Sequence, residues 1–287
     1  MSSSSLIVKP NIKIDLSKVP TGFTNDYQSK EEAADTLKKN IKKMISLQDR
    51  LYAENKYSLL LIFQAMDAAG KDGTIKHVMS GLNPQGTQVN SFKQPSSEEL
   101  NHDYLWRINK CLPERGKIGI FNRSYYEEVL VVRVHNLIEK ERIPKELVTD
   151  DIWQQRYREI NNFEKRLYDN GTIILKFFLH VSKEEQKRRF LERIDKKSKN
   201  WKFSEADLKE REYWNEYQKC YGEAISATSK KHAPWYIIPA DHKWYMRLAV
   251  SEIIVNAMKK LPIDYPKLDD KQLKQLELCK NTLENEK

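Results

Sequence analysis

The chain of 287 residues has only three cysteines and nine glycines. It also has no apolar run approaching the roughly 20 residues that a membrane-spanning helix needs. Cys111, Cys220 and Cys279 are odd in number, far apart and without metal-ligand spacing. A disulfide framework and a zinc motif are thereby excluded, and the expectation is reduced thiols in a cytoplasm. The start, MSSSSLIVKPNIKIDL, lacks the charged, apolar and cleavage regions of a secretory signal, so residues 1–28 are expected to form a flexible arm. There is no internal repeat and no Pro/Gly/Ser-rich linker to divide the middle of the chain. Nor is there a recognition helix, zinc knuckle or aromatic RNA-binding strand, so neither nucleic acid nor membrane is an expected partner.

What is present is charge. Charged residues make up 32% and hydrophobic ones 39%, and mean hydropathy is −0.74, as in a soluble protein rich in surface helices. The net charge of +9 implies affinity for a polyanion without naming one. Five β-like runs, Ser58 to Gln64, Gln88 to Phe92, Lys117 to Phe121, Thr172 to Val181 and Trp235 to Pro239, are nearly all separated by helical patterns. Continuous apolar strands alternating with helices predict an α/β fold: a five-stranded parallel sheet with helices on both faces. Ser29 with Glu32, Ser96 with Glu99, Ser182 with Glu185 and Ser204 with Asp207 resemble capping boxes at helix starts. One domain over 29–262 is expected, with 263–287 a charged tail or helix.

The most informative stretch is Ser58 to Thr74, SLLLIFQAMDAAGKDGT, where an apolar strand runs into a small-residue loop and a helix resumes. Backbone N–H groups and a helix N-terminus can there converge on an anion, with Lys71 adding a point charge. The candidate phosphate ligands are Ala68, Ala69, Gly70, Lys71, Asp72, Gly73 and Thr74. The match to Gly-x-x-x-x-Gly-Lys-Ser/Thr is imperfect, because Ala65 stands at the first glycine and Asp72 follows the lysine. The missing hydroxyl would ordinarily ligate Mg²⁺, and Asp67 places a hard carboxylate where it could take over that task. The bland alternative is a plain strand-to-helix turn with small residues for packing.

The third strand ends in Asn122 and Arg123, which a parallel sheet would set beside that loop. Asn122 supplies an oxygen for a metal but no charge, and Arg123 would face a transferring phosphoryl group. Tyr126, Val129, Leu130 and Arg133 recur at spacings of three and four, which predicts one helical face with Arg133 reaching a nucleotide phosphate. Lys93 and the turn Asn83-Pro84-Gln85-Gly86 are weaker candidates on the same rim. From Lys187 to Arg211 the chain is strongly basic, including Arg188, Arg189, Arg193, Lys197, Lys199 and Lys202. The break KSKNWKFS makes this a hinged hairpin, a helical lid over about 187–212 that would close on a polyanion. A solvated helix with paired charges is the alternative.

The segments AMDAAGKDG, SGLNPQG, FNRSYYEEVL, NWKFSEADLKER and PWYIIPAD, in this order, resemble the polyphosphate kinase 2 family from about Ser29 to about Leu261. The resemblance implies a P-loop kinase fold related to thymidylate kinases. It also implies reversible transfer of the terminal phosphoryl group of inorganic polyphosphate to ADP, GDP or AMP, with Mg²⁺ or alternatively Mn²⁺ as cofactor. Asp67 and Lys71 would be the family's Walker A acid and lysine, Arg123 its Walker B arginine, and Arg188, Arg189 and Arg193 part of its polyphosphate-binding helix. Asn122 departs from the aspartate of one branch and is similar to the branch that accepts both AMP and ADP. The resemblance also implies a homo-oligomer, a dimer or tetramer. The competing enzyme reading is an ATP-dependent nucleoside monophosphate kinase of the thymidylate kinase type. The competing non-enzyme reading is a basic nucleic-acid-binding module.

Overall fold

Residues 5–25, 27 and 29–286 are described by a computed structural model. Leu59, Leu60, Leu61, Ile62 and Phe63 are all fully buried, as a strand is when helices cover both faces and strands flank both edges. That strand, β1 (Ser58–Ala65), is joined by β2 (Thr87–Ser91), β3 (Ile118–Asn122), β4 (Thr172–His180) and β5 (Trp235–Pro239). The order across the sheet is β2-β3-β1-β4-β5, and every pairing is parallel. All five carboxyl ends therefore share one edge. At that edge β1 stands between β3 and β4, where the loops diverge and ligands of open sheets bind.

The helices are α1 (Lys30–Glu54), α2 (Lys71–Val78), α3 (Trp106–Asn109), α4 (Val131–Val134), α5 (Ile152–Asp169), α6 (Lys183–Asp195), α7 (Glu205–Glu212), α8 (Trp214–Thr228), α9 (Lys243–Met258) and α10 (Asp270–Glu284). One layer packs α1 and α2 on α9, and the other packs α5 on α8. The expected starts form: Ser29 accepts the N–H of Glu32, Ser182 that of Glu185, and Ser204 and Asp207 close a full capping box. Ser96 and Glu99 also bond reciprocally, but they head only a 3₁₀ turn.

Three expectations need correction. Residues 5–25 are not a loose arm, because Val8 N–H donates to Trp235 O at 2.8 Å and Ile237 N–H to Leu6 O at 3.0 Å. They cover the edge of β5, and Leu6, Val8 and Leu16 are buried. Covering an unpaired strand edge in this way removes a site for unwanted pairing. Second, the helical face through Tyr126 and Arg133 is interrupted. Tyr125–Val129 is 3₁₀, Leu130 leaves the helical region, and only Val131–Val134 is α. Four valines among residues 129–134 restrict χ1 and weaken the helix there. Third, Asn83–Gly86 precedes β2, so in a parallel sheet it lies at the amino edge, away from the phosphate loop. Asn83 is bound there to Gln48 through both its N–H and its carbonyl.

The lysine inside the apolar β4 has a reason. Lys176 is fully buried, 2.6 Å from Glu164 of α5 and 2.9 Å from the Tyr126 hydroxyl. A buried charge of this kind needs both its counter-ion and its hydrogen bonds. The C-terminal helix α10 opens with a capping box of Asp269 and Gln272, and every described residue after Ile263 is exposed.

Candidate active site

β1 delivers the chain at Ala65 into a loop that closes through two left-handed residues, Ala68 (φ 58°) and Gly70 (φ 109°). At Gly70 the left-handed conformation calls for glycine, and a Cβ there would also press on the Met246 methyl group at 3.1 Å. Gly70 caps α2 without a side-chain bond, leaving the first N–H groups of that helix directed at the cavity mouth, where they suit phosphate. Lys71 folds back over the loop and donates from Nζ to Ala65 O at 2.9 Å. Burial first, then the neighbouring Arg123, lowers its pKa, while Asp67, Glu127 and Asp72 pull it back.

β3 contributes the facing pair. Arg123, with φ 64°, turns out of the strand and bonds through its N–H to Phe63 O at 3.0 Å. Its guanidinium donates from Nη2 to Asp67 Oδ1 at 3.0 Å. Burial works against the Arg123 charge, but Glu127 and Asp67 outweigh it and the pKa is raised. Asn122 donates from Nδ2 to Asp72 Oδ1 at 2.8 Å, tying the end of β3 to the first turn of α2.

Above this edge lies a cavity of about 730 Å³. Asp67, Ala68, Gly70, Lys71, Asp72, Gly73, Lys93, Asn122 and Arg123 form its floor and near wall. From α6 and the 3₁₀ segment Lys197–Lys202 that follows it, the expected lid, Arg193, Lys199, Trp201 and Lys202 line it, and Lys243, Met246 and Arg247 line it from α9. With the buried Arg189, nine basic side chains line it against three acidic ones, Asp67, Asp72 and Glu192. Among the described residues no cluster of three or more His, Cys, Asp or Glu could hold a metal by itself.

The geometry redraws part of the expected site. Thr74 and Ala69 are fully buried and do not line the cavity. The Thr74 hydroxyl caps back onto Gly70 O at 3.0 Å, and Ala69 N–H is spent on Met66 O. Arg133 lies elsewhere, donating to Glu223 at 2.6 Å and to Tyr157 at 3.1 Å, because the broken helix turns it toward α8. Arg188 forms a fork with Glu185 at 2.6 Å, and both it and Lys197 are exposed outside the cavity.

Arg189 is the largest change. It is 3% exposed, and its donors go to Glu185, to the loop carbonyls of Ala68 at 3.1 Å and Ala69, and to the β5-end carbonyls of Ala240 and Asp241. It clamps the phosphate loop to the sheet edge instead of presenting free donors to a polymer. Lys243 and Arg247 went unpredicted. The signal for them is topological: α9 follows β5, so its first turns must start at the ligand edge of a parallel sheet. Arg247 Nε is buried without a hydrogen-bond partner, and burial followed by Arg189 lowers its pKa.

A sequence profile described as Polyphosphate kinase 2 matches residues 27–265. The ADP-polyphosphate phosphotransferase of Rhodopseudomonas palustris is 53% identical over 266 residues, covering 92% of each chain. The AMP/ADP-polyphosphate phosphotransferase of Meiothermus ruber is 45% identical, covering 90% of this chain and 94% of its own. The crystal structure of Polyphosphate Kinase 2 from Arthrobacter aurescens TC1 superposes with a TM-score of 0.87 at 39% identity, covering 97% of both chains. The order of the sheet, the loop and the facing arginine thus have the same owner in sequence and in space, and the chain belongs to the polyphosphate kinase 2 family.

Proposed function

We propose that this chain transfers the terminal phosphoryl group of inorganic polyphosphate to a nucleoside mono- or diphosphate, ADP, GDP or AMP, reversibly and with Mg²⁺ or Mn²⁺. The carrying observation is the cavity in which a phosphate loop is joined by basic side chains from the ends of β2 and β3, the lid and α9, eight of them, with Lys71, besides the clamped Arg189. A nucleoside triphosphate needs only a few such charges, so a donor of many phosphates fits better than ATP.

Phosphoryl transfer asks the protein for position and charge neutralisation more than for covalent chemistry. The N–H groups at the start of α2 and Lys71 would hold phosphates at the loop. Phosphoryl oxygens entering there compete with Asp67 for Arg123, so the arginine can pass from its 3.0 Å carboxylate partner to the transferring group. The donor set fits a divalent metal: Asp67 lines the cavity and Asn122 lies beside it, and Mg²⁺ is usually held by one or two carboxylates plus substrate phosphates, without a full protein cage. When bound, the ion supplies Lewis-acid polarisation and neutralises developing charge.

The acceptor's base and ribose have a neighbouring cavity of about 420 Å³, within the range for ligand pockets. It begins at Gln94, next to Lys93 of the phosphate cavity, and Arg107 Nη1 donates to Lys93 O at 2.8 Å at the junction. Its walls include Leu100, Val132, Leu137 and Ile152, and its floor Glu128, Glu141 and Arg156. Glu141 Oε1 and Arg156 Nε are buried there without partners. The enzyme is read as cytoplasmic, where its three free thiols stay reduced. It is also read as a homo-oligomer, in keeping with the exposed Leu273, Leu276 and Leu283 of α10.

The test is to incubate the purified chain with Mg²⁺ and AMP, ADP, GMP or GDP, with long-chain polyphosphate or ATP as donor, and to resolve the products. Polyphosphate should phosphorylate ADP far faster than ATP phosphorylates AMP. Equal or reversed rates overturn the donor assignment and restore the monophosphate kinase.

A further inference from the structure

The lid wall carries an acidic group where a track for a polyanion should have none. Glu192 of α6 lines the phosphate cavity and receives hydrogen bonds at Oε1 from Lys199 Nζ at 2.7 Å and Lys196 Nζ at 2.8 Å. Lys243 Nζ lies 3.8 Å from Oε2. The three ammonium groups come from three places: the end of α6, the 3₁₀ segment Lys197–Lys202, and the start of α9. Their hydrogen bonds, Lys196 first and then Lys199, hold the carboxyl at about 2, against a smaller effect of burial. It is therefore an anion at any working pH.

Two of these lysines, Lys199 and Lys243, themselves line the cavity. Ammonium groups from opposite walls converging on one oxygen donor is also how they would converge on a phosphate. We propose that Glu192 stands in the place of a phosphate in the donor track, so that polyphosphate must displace it from Lys199 and Lys243 to bind. This inference rests on the donor reading above. Such a carboxylate weakens the grip on the polymer and eases its movement and release, which a kinase that works along a chain needs. The opposite role is that Glu192 merely positions the two lysines, in which case its removal would scatter them and weaken the grip. The two roles predict opposite signs.

Glu192→Gln keeps the shape and an acceptor oxygen while removing the charge. The expected result is a KM for long-chain polyphosphate lower by about two- to fivefold, since exposed ion pairs of this kind are weak. The slope of log KM against log salt should steepen by roughly one, because the freed carboxylate no longer takes up a cation when the polymer binds. The nucleotide KM should stay within error. Glu184→Gln, an exposed position on the first turn of the same helix, makes the same change in net charge and should leave the donor KM unmoved. Glu192→Ala, measured alongside, should move the donor KM in the same direction as Gln. An unchanged or raised donor KM in both Glu192 variants overturns the proposal, as does an equal fall in Glu184→Gln. If polyphosphate drives no turnover in the wild-type chain while ATP does, the donor reading fails first and takes this inference with it.

Discussion

The two walls of the phosphate cavity are built on different principles. Asp67, Lys71, Asn122 and Arg123 sit at the ends of β1 and β3, strands whose neighbouring residues are fully buried. They bond across the gap between loop and strand, Arg123 to Asp67 and Asn122 to Asp72. The lid wall is surface: Trp201 is 77% exposed, and Arg193 pairs with Asp207 at 3.6 Å within the lid itself. That pair is half-buried but reaches solvent on both sides, and solvent-accessible pairs contribute about 0–1 kcal/mol each, so the lid can re-pair with a ligand at little cost, whereas the strand wall cannot rearrange without disturbing the core. In the proposed reaction chemistry would belong on the rigid wall, which preorganised charge requires, and grip on the adaptable one. α6 spans both, with Arg189 turned to the loop and Arg193, one turn on, facing the cavity.

The largest effect expected is at the rigid wall. Asp67→Asn should lower kcat by about 10² to 10³, the usual loss for one preorganised charge-stabilising group, and by more if the metal is lost with it. The variant should fold, since Asp67 is partly exposed and makes its side-chain bond only to Arg123. A folded variant that keeps more than about a tenth of the wild-type rate would remove Asp67 from the chemistry and erase the contrast between the walls.

What the sequence disclosed follows the same division. The parallel sheet was legible because Leu59 to Phe63 and, but for Lys176, Ile173 to Leu179 are apolar runs too short for helices and too continuous for one-sided strands. The loop was legible because Gly70 and Lys71 stand at a strand-to-helix turn, and Arg123 because it ends the next strand in the sheet. Individual lid residues were legible only in part: Arg193 and Lys202 line the cavity as expected, whereas Arg188, Arg189 and Lys197 serve elsewhere. Four-residue spacing groups Arg189, Arg193 and Lys197 on one face, but α6 ends at Asp195, so Lys197 leaves that face. Arg189 lies close enough to the loop for five of its hydrogen bonds to go into the protein. Burial of an arginine is a tertiary outcome that no local pattern announces. Arg133 was lost to the valines that break its helix, and the N-terminal arm to an edge pairing 227 residues away in the chain, Val8 with Trp235, whose separation follows from the numbering.

The next largest effect contrasts the two arginines of α6. Arg189→Ala strands four loop and strand-end carbonyls in a buried place and leaves Glu185 to Arg188 alone, and breaking such an arrangement typically costs about 3 kcal/mol. kcat should fall with it as the loop loosens, while the salt slope of the polyphosphate KM stays as in the wild type. Arg193→Ala should do the reverse: a stability loss of no more than about 1 kcal/mol, the size of a solvent-accessible ion pair, donor KM raised severalfold, and a salt slope flatter by roughly one. Chemical denaturation together with donor KM over a salt series reads both. If Arg189→Ala flattens the slope as Arg193→Ala does, Arg189 is a polymer ligand after all and the boundary between the walls runs elsewhere on α6.

The smallest effect separates two carboxylates. Glu192 on the lid is held at about 2 by lysines, whereas Glu128, at the floor of the proposed acceptor cavity and 4% exposed, is pushed up to about 8. Burial is the first cause and Glu141 the second, through its charge and a hydrogen bond, against the opposing pull of Arg156 from α5 and Arg107 from α3. Below the ordinary glutamate value of 4.5 both folded and unfolded chains carry the proton. Between 4.5 and about 8 only the folded chain keeps it, so folding stability falls as pH rises through this window and levels off above it. Glu128→Gln imitates the protonated side chain and has nothing to lose. Its stability should match that of wild type near pH 5 and exceed it increasingly toward pH 9, by on the order of 2 kcal/mol. Urea midpoints at pH 5, 7 and 9 measure the difference directly. A gap that is constant with pH, or that closes as pH rises, would mean that Glu128 is ionised throughout and that Arg107 and Arg156 outweigh its burial. The acceptor floor would then be charged like the lid, and the distinction between a dry, preorganised side and a wet, adaptable one would stop at the phosphate cavity.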